Sequence, residues 1–149
     1  MMTLAPPAPP PAPPEAHRSF RFDLPSGDTA PRIARTVVED LLTLTDADEL
    51  AADAKALVSE LVTNVYQHTR TAVVRLDVAV HPNSVRVVVW DDAPGSRLLS
   101  LRPLHDDVTG RGLLLVDAFA SRWGVYQPNV EERRRKGVWF AIDRKDAAL

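Results

Sequence analysis

The chain has 149 residues, thirteen of them proline and none cysteine, with 18 basic against 20 acidic side chains for a net charge of -2. Disulfides, zinc–thiolate sites and thiol nucleophiles are therefore excluded, and the charge balance argues against a surface that tracks nucleic acid throughout. No apolar run approaches the roughly 18 residues a membrane span needs, and the N-terminus lacks the basic and apolar regions of a signal peptide. The expected location is the cytoplasm.

Seven prolines fall in the first fourteen positions. Proline removes amide donors and fixes φ, so residues 1–16 read as an extended, unpacked tail. Residues 17–149 are one ordinary domain by length. A domain of that size buries about two-thirds of its unfolded surface and needs no metal to hold a core. Phe20, Phe22 and Leu24 alternate with polar residues over 17–24, the pattern of a half-buried strand. Pro25 to Asp28 end it. Pro31 suits the first turn of a helix capped by Asp28 or Thr29, with Ile33, Val37, Val38, Leu41 and Leu42 at helical spacing. A second helix is predicted from Thr45 as cap, with Asp46, Asp48 and Glu49 near its positive end, running to Gln67 or His68.

Leu50, Ala54, Leu57, Leu61 and Val65 form that helix's apolar stripe. Glu60 and Asn64, at i and i+4, stack on one face and border the stripe instead of opposing it. A carboxylate pressed against a core edge is costly unless something binds it; the plain alternative is a boundary Glu that reaches solvent. His68 falls within the apolar arc and reads as a packed histidine. Two strands follow, 71–80 and 84–90, joined by His81-Pro82-Asn83. Asp91 then lies at a strand end, where ligands collect in α/β proteins, and can accept a hydrogen bond from an amino group. Residues 91–109 read as a loop. Gly110-Arg111-Gly112 opens a helix of about ten residues, and glycine amides at a helix start can cradle a phosphate. Strands at 123–126 and 138–142 close the chain as an antiparallel pair, connected by the polar segment 128–136. The run Arg133-Arg134-Arg135-Lys136 within it reads first as a solvated hairpin loop and second as a phosphate-binding patch. The order β-α-α-β-β-loop-α-β-β predicts an α/β two-layer sandwich, a mixed, mostly antiparallel sheet with helices on one face.

Taken together and in order, these pieces resemble one family. Glu60-Leu61-Val62-Thr63-Asn64 is similar to the E-x-x-x-N box of the histidine-kinase-like (GHKL) ATPases, which have the Bergerat ATP-binding fold. Asp91-Asp92-Ala93-Pro94-Gly95 resembles their D-x-G-x-G box, and Thr109-Gly110-Arg111-Gly112-Leu113 their second glycine box. The continuation from Leu115 to Val125, and Val138-Trp139-Phe140, resemble the small bacterial branch of anti-sigma regulatory factors. The likeness spans residues 17 to 143. It implies ATP and Mg²⁺ as cofactors. Asn64 is implied as the metal ligand, an oxygen donor suited to a hard ion, and Glu60 as the general base. Asp91 is implied to bond the adenine amino group, with Gly95 letting the chain pass close to the base. Thr109, Gly110, Arg111, Gly112 and Leu113 are implied to hold the phosphates, with Arg97 or Arg111 supplying charge to the transferring group.

Two departures stand out. Ala93 replaces the first glycine of the D-x-G-x-G box. Gly137 stands where relatives often place a threonine that supports adenine binding, a loss worth about 1 kcal/mol for a neutral hydrogen bond. The implied activity is that of an anti-sigma serine/threonine kinase. Its implied partners are a sigma factor, which it sequesters, and an anti-anti-sigma (STAS) protein, which it phosphorylates. No direct nucleic-acid or membrane partner is expected, and a homodimer through the exposed sheet face is open. A non-catalytic nucleotide-binding switch is the alternative. The catalytic half of a two-component histidine kinase is disfavoured by the short length, and a nucleic-acid module built on residues 133–136 ranks last.

Overall fold

A computed structural model describes residues 18–92, 115–126 and 135–145. The elements run β1 (Arg18–Pro25), α1 (Ala30–Leu44), a short 3-10 turn (Asp48–Leu50), α2 (Ala51–His68), β2 (Val73–Val80), β3 (Ser84–Asp91), β4 (Arg122–Tyr126) and β5 (Lys136–Asp143). Residues 115–119 are also helical. The strands form one sheet in the order β1-β2-β3-β5-β4, and every pairing among the described residues is antiparallel. The expected two-layer α/β sandwich is what the chain adopts. No helix among the described residues is long and apolar enough to cross a membrane.

Alternation explains the sheet. Phe22 faces Leu76, which faces Val89, which faces Val138 across four strands. Leu76, Val89 and Val138 belong to the main core with Leu57, Leu61 and Val65 of α2. Successive side chains point to opposite faces, so this row covers the helices while its neighbours form the outer face. On that outer face Arg21 pairs with Asp77 at 2.7 Å and Arg75 with Asp23 at 2.9 Å. The hydrogen bond from the Arg75 guanidinium holds the Asp23 carboxyl below its usual range. Val88, Trp139 and Ala141 make a second, smaller buried cluster there, with Trp90 packed against it.

The two helices pack on each other, and α2 also touches β3. That double contact widens α2's buried arc beyond the expected stripe: Val58 and Val62 are both 0% exposed. Arg35 donates to the Ser59 hydroxyl at 2.8 Å, tying the helices along their half-buried flank.

The junction between the helices differs from expectation. Thr45 does not start α2; it is the C-cap of α1, and its hydroxyl donates to the Leu41 carbonyl at 2.8 Å. Asp46 follows with φ 62°. Its amide donates to the Thr43 carbonyl and the Ala47 amide to the Leu42 carbonyl, the paired bonds of a Schellman ending. Asp tolerates the left-handed region better than most residues, so it takes the place glycine usually fills. Asp48 and Glu49 then lie in the 3-10 turn, and Arg144 bridges Glu49 (2.6 Å) and the Asp46 carbonyl (2.8 Å). The other boundaries stand close to expectation. Thr29 is the N-cap of α1, though its side chain makes no capping bond. His68 ends α2 but is exposed: at the last turn it has left the layer that buries the stripe.

Candidate functional site

The end of α2 and the ends of β3 and β5 enclose a cavity of about 20 Å³, room for about one water. It is lined by Leu61, Asn64, Val65 and Thr69 from the α2 side, Val89 and Asp91 from β3, and Lys136 and Val138 from β5. The described residues thus make the floor of a site. Its expected glycine-rich walls, Gly95 and Thr109 through Leu113, lie outside the described residues, as does Ala93.

Each polar member is placed by a local cause. Asn64 sits at the margin of α2's buried arc and is half-buried, as is Glu60 one turn earlier. Glu60 does not line the cavity; Asn64 does. Asp91 is the last residue of β3 and, in phase with Val89, points to the helix side, where it is 5% exposed. The next residue is fixed by a hydroxyl relay. Thr69 donates to the Thr71 hydroxyl at 2.9 Å, and Thr71 donates to the Asp92 carboxylate at 2.8 Å. The Asp92 amide returns a bond to the Thr71 oxygen at 3.2 Å. Thr71 is itself buried. The relay ties the end of α2 to the end of β3 and so holds Asp91 against the cavity.

Lys136 is the residue that sequence reasoning missed. It ends the basic run that was assigned to a solvated loop, yet it is 3% exposed. It stands directly opposite Asp91 in the β3–β5 register, with Nζ 3.6 Å from Asp91 Oδ2. The signal was available: Lys136 is in phase with Val138, Phe140 and Ile142, so extending the strand backwards places it on the core face. Arg135 departs from the same reading, with its guanidinium 4.9 Å from the centroid of the Trp90 ring, within cation–π range.

The concern over Gly137 is also corrected. Position 137 is out of phase with the cavity-lining Lys136 and Val138, so a side chain there points to the outer face. A Cβ at Gly137 would stand 2.9 Å from both Cε3 and Cζ3 of Trp90. That indole is held by a hydrogen bond from its Nε1 to Asp77 (2.9 Å), by Arg135, and by an edge contact with Tyr126 at 6.0 Å. A threonine hydroxyl here would not reach the cavity. Gly137→Thr is instead expected to force the indole aside and cost about 1–3 kcal/mol, the range for overpacking. Urea unfolding followed by tryptophan fluorescence checks this, and an unchanged midpoint would contradict it.

Among the described residues no group of three or more His, Asp or Glu side chains gathers to hold a metal ion. The donors at hand suit a different task. A buried carboxylate offers acceptors only, an ammonium offers donors only, and an Asn amide offers a hard oxygen. The family model described as "Histidine kinase-like ATPase domain" matches residues 24–137. That span runs from the last residues of β1 to the start of β5 and takes in Glu60, Asn64, Asp91 and Lys136. None of the curated proteins compared with the chain matches it.

Proposed function

The chain belongs to the histidine kinase-like ATPase domain family, and we propose that it is a Mg²⁺-dependent protein serine/threonine kinase of the anti-sigma type. The ATP-binding domain is the family's; the kinase role, its substrate and its partners are this proposal. The observation that carries it is the meeting of Asn64 from α2 and Asp91 from β3 in one cavity, with Glu60 one helical turn from Asn64. A base and a metal ligand at i and i+4 face the same phosphates, while the buried carboxylate of Asp91 accepts the adenine amino group from below.

Asn64 would hold the ion through its side-chain oxygen, and Mg²⁺, when bound, neutralises charge on the phosphates. Glu60 takes the proton from the attacking serine or threonine hydroxyl as the new O–P bond forms and the bond to ADP breaks. Its half-exposed position suits that role, because the hydroxyl arrives from a protein outside this chain. The proposed substrate is a STAS-domain anti-anti-sigma protein, and the proposed second partner is a sigma factor, which the chain sequesters. Catalysis in the cytoplasm fits both partners.

The test is incubation of the full chain and Mg²⁺ with γ-labelled ATP and candidate STAS proteins. The expected result is label on a serine or threonine of one of them, with ADP released in equal amount. Tight ATP binding with no transfer to any would replace the kinase with a nucleotide-operated switch.

A further inference from the structure

The Lys136–Asp91 pair has a geometry that neutralisation alone does not require. Both residues are more than nine-tenths buried, they oppose each other in register, and both line the cavity beside Leu61, Val89 and Val138. Taking an ammonium out of water is expensive, and the attraction of a partner repays it only with good hydrogen bonding. Charge-assisted N–H···O bonds close to about 2.7–2.9 Å. Here Nζ stands 3.6 Å from Oδ2, so the two charges face each other across the cavity floor without closing that bond. The ammonium has three donors to give, and among the described residues Asp91 is its one ion-pair partner.

We propose that Lys136 is a binding residue that reads the nucleobase together with Asp91; this rests on the nucleotide-binding reading above. A donor beside an acceptor on an apolar floor is the complement of the adenine edge, where the exocyclic amino group sits beside a ring nitrogen. Asp91 accepts from the amino group and Lys136 donates to the ring nitrogen. A 6-oxo purine presents those two functions in reversed order, acceptor outside and N–H in the ring, and would need the lysine and the aspartate exchanged. Lys136 therefore selects adenine over guanine. The low local dielectric among Leu61, Val89 and Val138 strengthens both contacts and the penalty for a mismatch.

Calorimetric titration of the full chain with Mg²⁺ tests this with ATP and with an analogue carrying carbon in place of the ring nitrogen next to the amino group (1-deaza-ATP). The unmodified chain is expected to bind the analogue about ten- to a hundredfold more weakly than ATP, the range of a hydrogen bond to a charged group. Lys136→Met is expected to lose a similar factor for ATP and to bind the two nucleotides equally, its folding checked by thermal melting. If that variant does not fold, the comparison on the unmodified chain decides alone. Equal affinity of the unmodified chain for both nucleotides, or discrimination retained by a folded Lys136→Met, overturns the assignment while leaving ATP binding intact. Absence of ATP binding by the unmodified chain overturns the nucleotide reading as well.

Discussion

Glu60→Ala is expected to lower the proposed phosphoryl transfer to a STAS protein about 10²- to 10⁴-fold, the contribution typical of a positioned general base. The nucleotide should still bind. Glu60 is half-buried on α2 and does not line the cavity that holds Asn64 and Asp91, so its removal takes away the proton acceptor and leaves the floor of the site as it was. Alanine is also the best helix former, and α2 should not suffer. The separation of rate from affinity is the informative part: single-turnover transfer should fall while the ATP dissociation constant changes by no more than a few-fold. A Glu60→Ala chain that transfers phosphate within a few-fold of the unmodified rate would remove Glu60 from the chemistry. One that binds ATP much more weakly would make it a binding residue instead.

Phe140→Ala is expected to cost about 3–5 kcal/mol, the range for truncating a buried aromatic. Phe140 is 0% exposed and heads the fully buried side chains by size. It lies on β5 opposite Val87 on one side and Trp123 on the other, within the core that α2 covers. Both neighbouring strands therefore lose contacts, and the cavity left between a paired sheet and two packed helices has little freedom to collapse. Against a total stability of about 5–15 kcal/mol for an ordinary domain, that loss leaves a marginal fold. Urea unfolding followed through the three tryptophans measures it. A loss below about 1 kcal/mol would mean that β5 is not the packed strand described. The same strand positions Lys136, so failure here would weaken the site as well as the core.

The elements most legible in the sequence were those with strict alternation. Phe20-Phe22-Leu24 and Val85-Val87-Val89 each place one face on the core, and a shift of one residue would expose all of it. The i, i+4 relation of Glu60 and Asn64 was equally readable, because α2's stripe fixes its orientation. Three features were not. Thr45 suits either helix terminus, since the same hydroxyl can accept at an N-cap or donate back to a carbonyl four residues earlier; the left-handed Asp46 decided for the second. Lys136 was drawn into the loop by the three arginines before it, and only its phase with Val138 and Phe140 revealed the core face. Gly137 looked like a lost hydroxyl because its neighbour Trp90, which needs the space, comes from another strand 47 positions earlier in the sequence. Charge runs and single glycines carry no record of which strand they will face, whereas periodic apolar residues do. The glycine boxes at Gly95 and at Thr109 to Leu113 lie outside the described residues and stand as expectations.

The central claim is the proposal that the ends of α2, β3 and β5, which enclose this water-sized cavity, form the floor of the adenine site of an ATP-binding domain. Calorimetry with Mg²⁺–ATP on the unmodified chain and on Asp91→Asn tests it most directly. The Asn variant keeps the shape of Asp91 while exchanging a carboxylate acceptor for an amide, and circular dichroism can confirm that it folds. One nucleotide bound per chain, with affinity reduced about tenfold or more in Asp91→Asn, a loss in the range of a hydrogen bond to a charged group, is the predicted result. No ATP binding by the unmodified chain, or unaltered affinity in a folded Asp91→Asn, would contradict it.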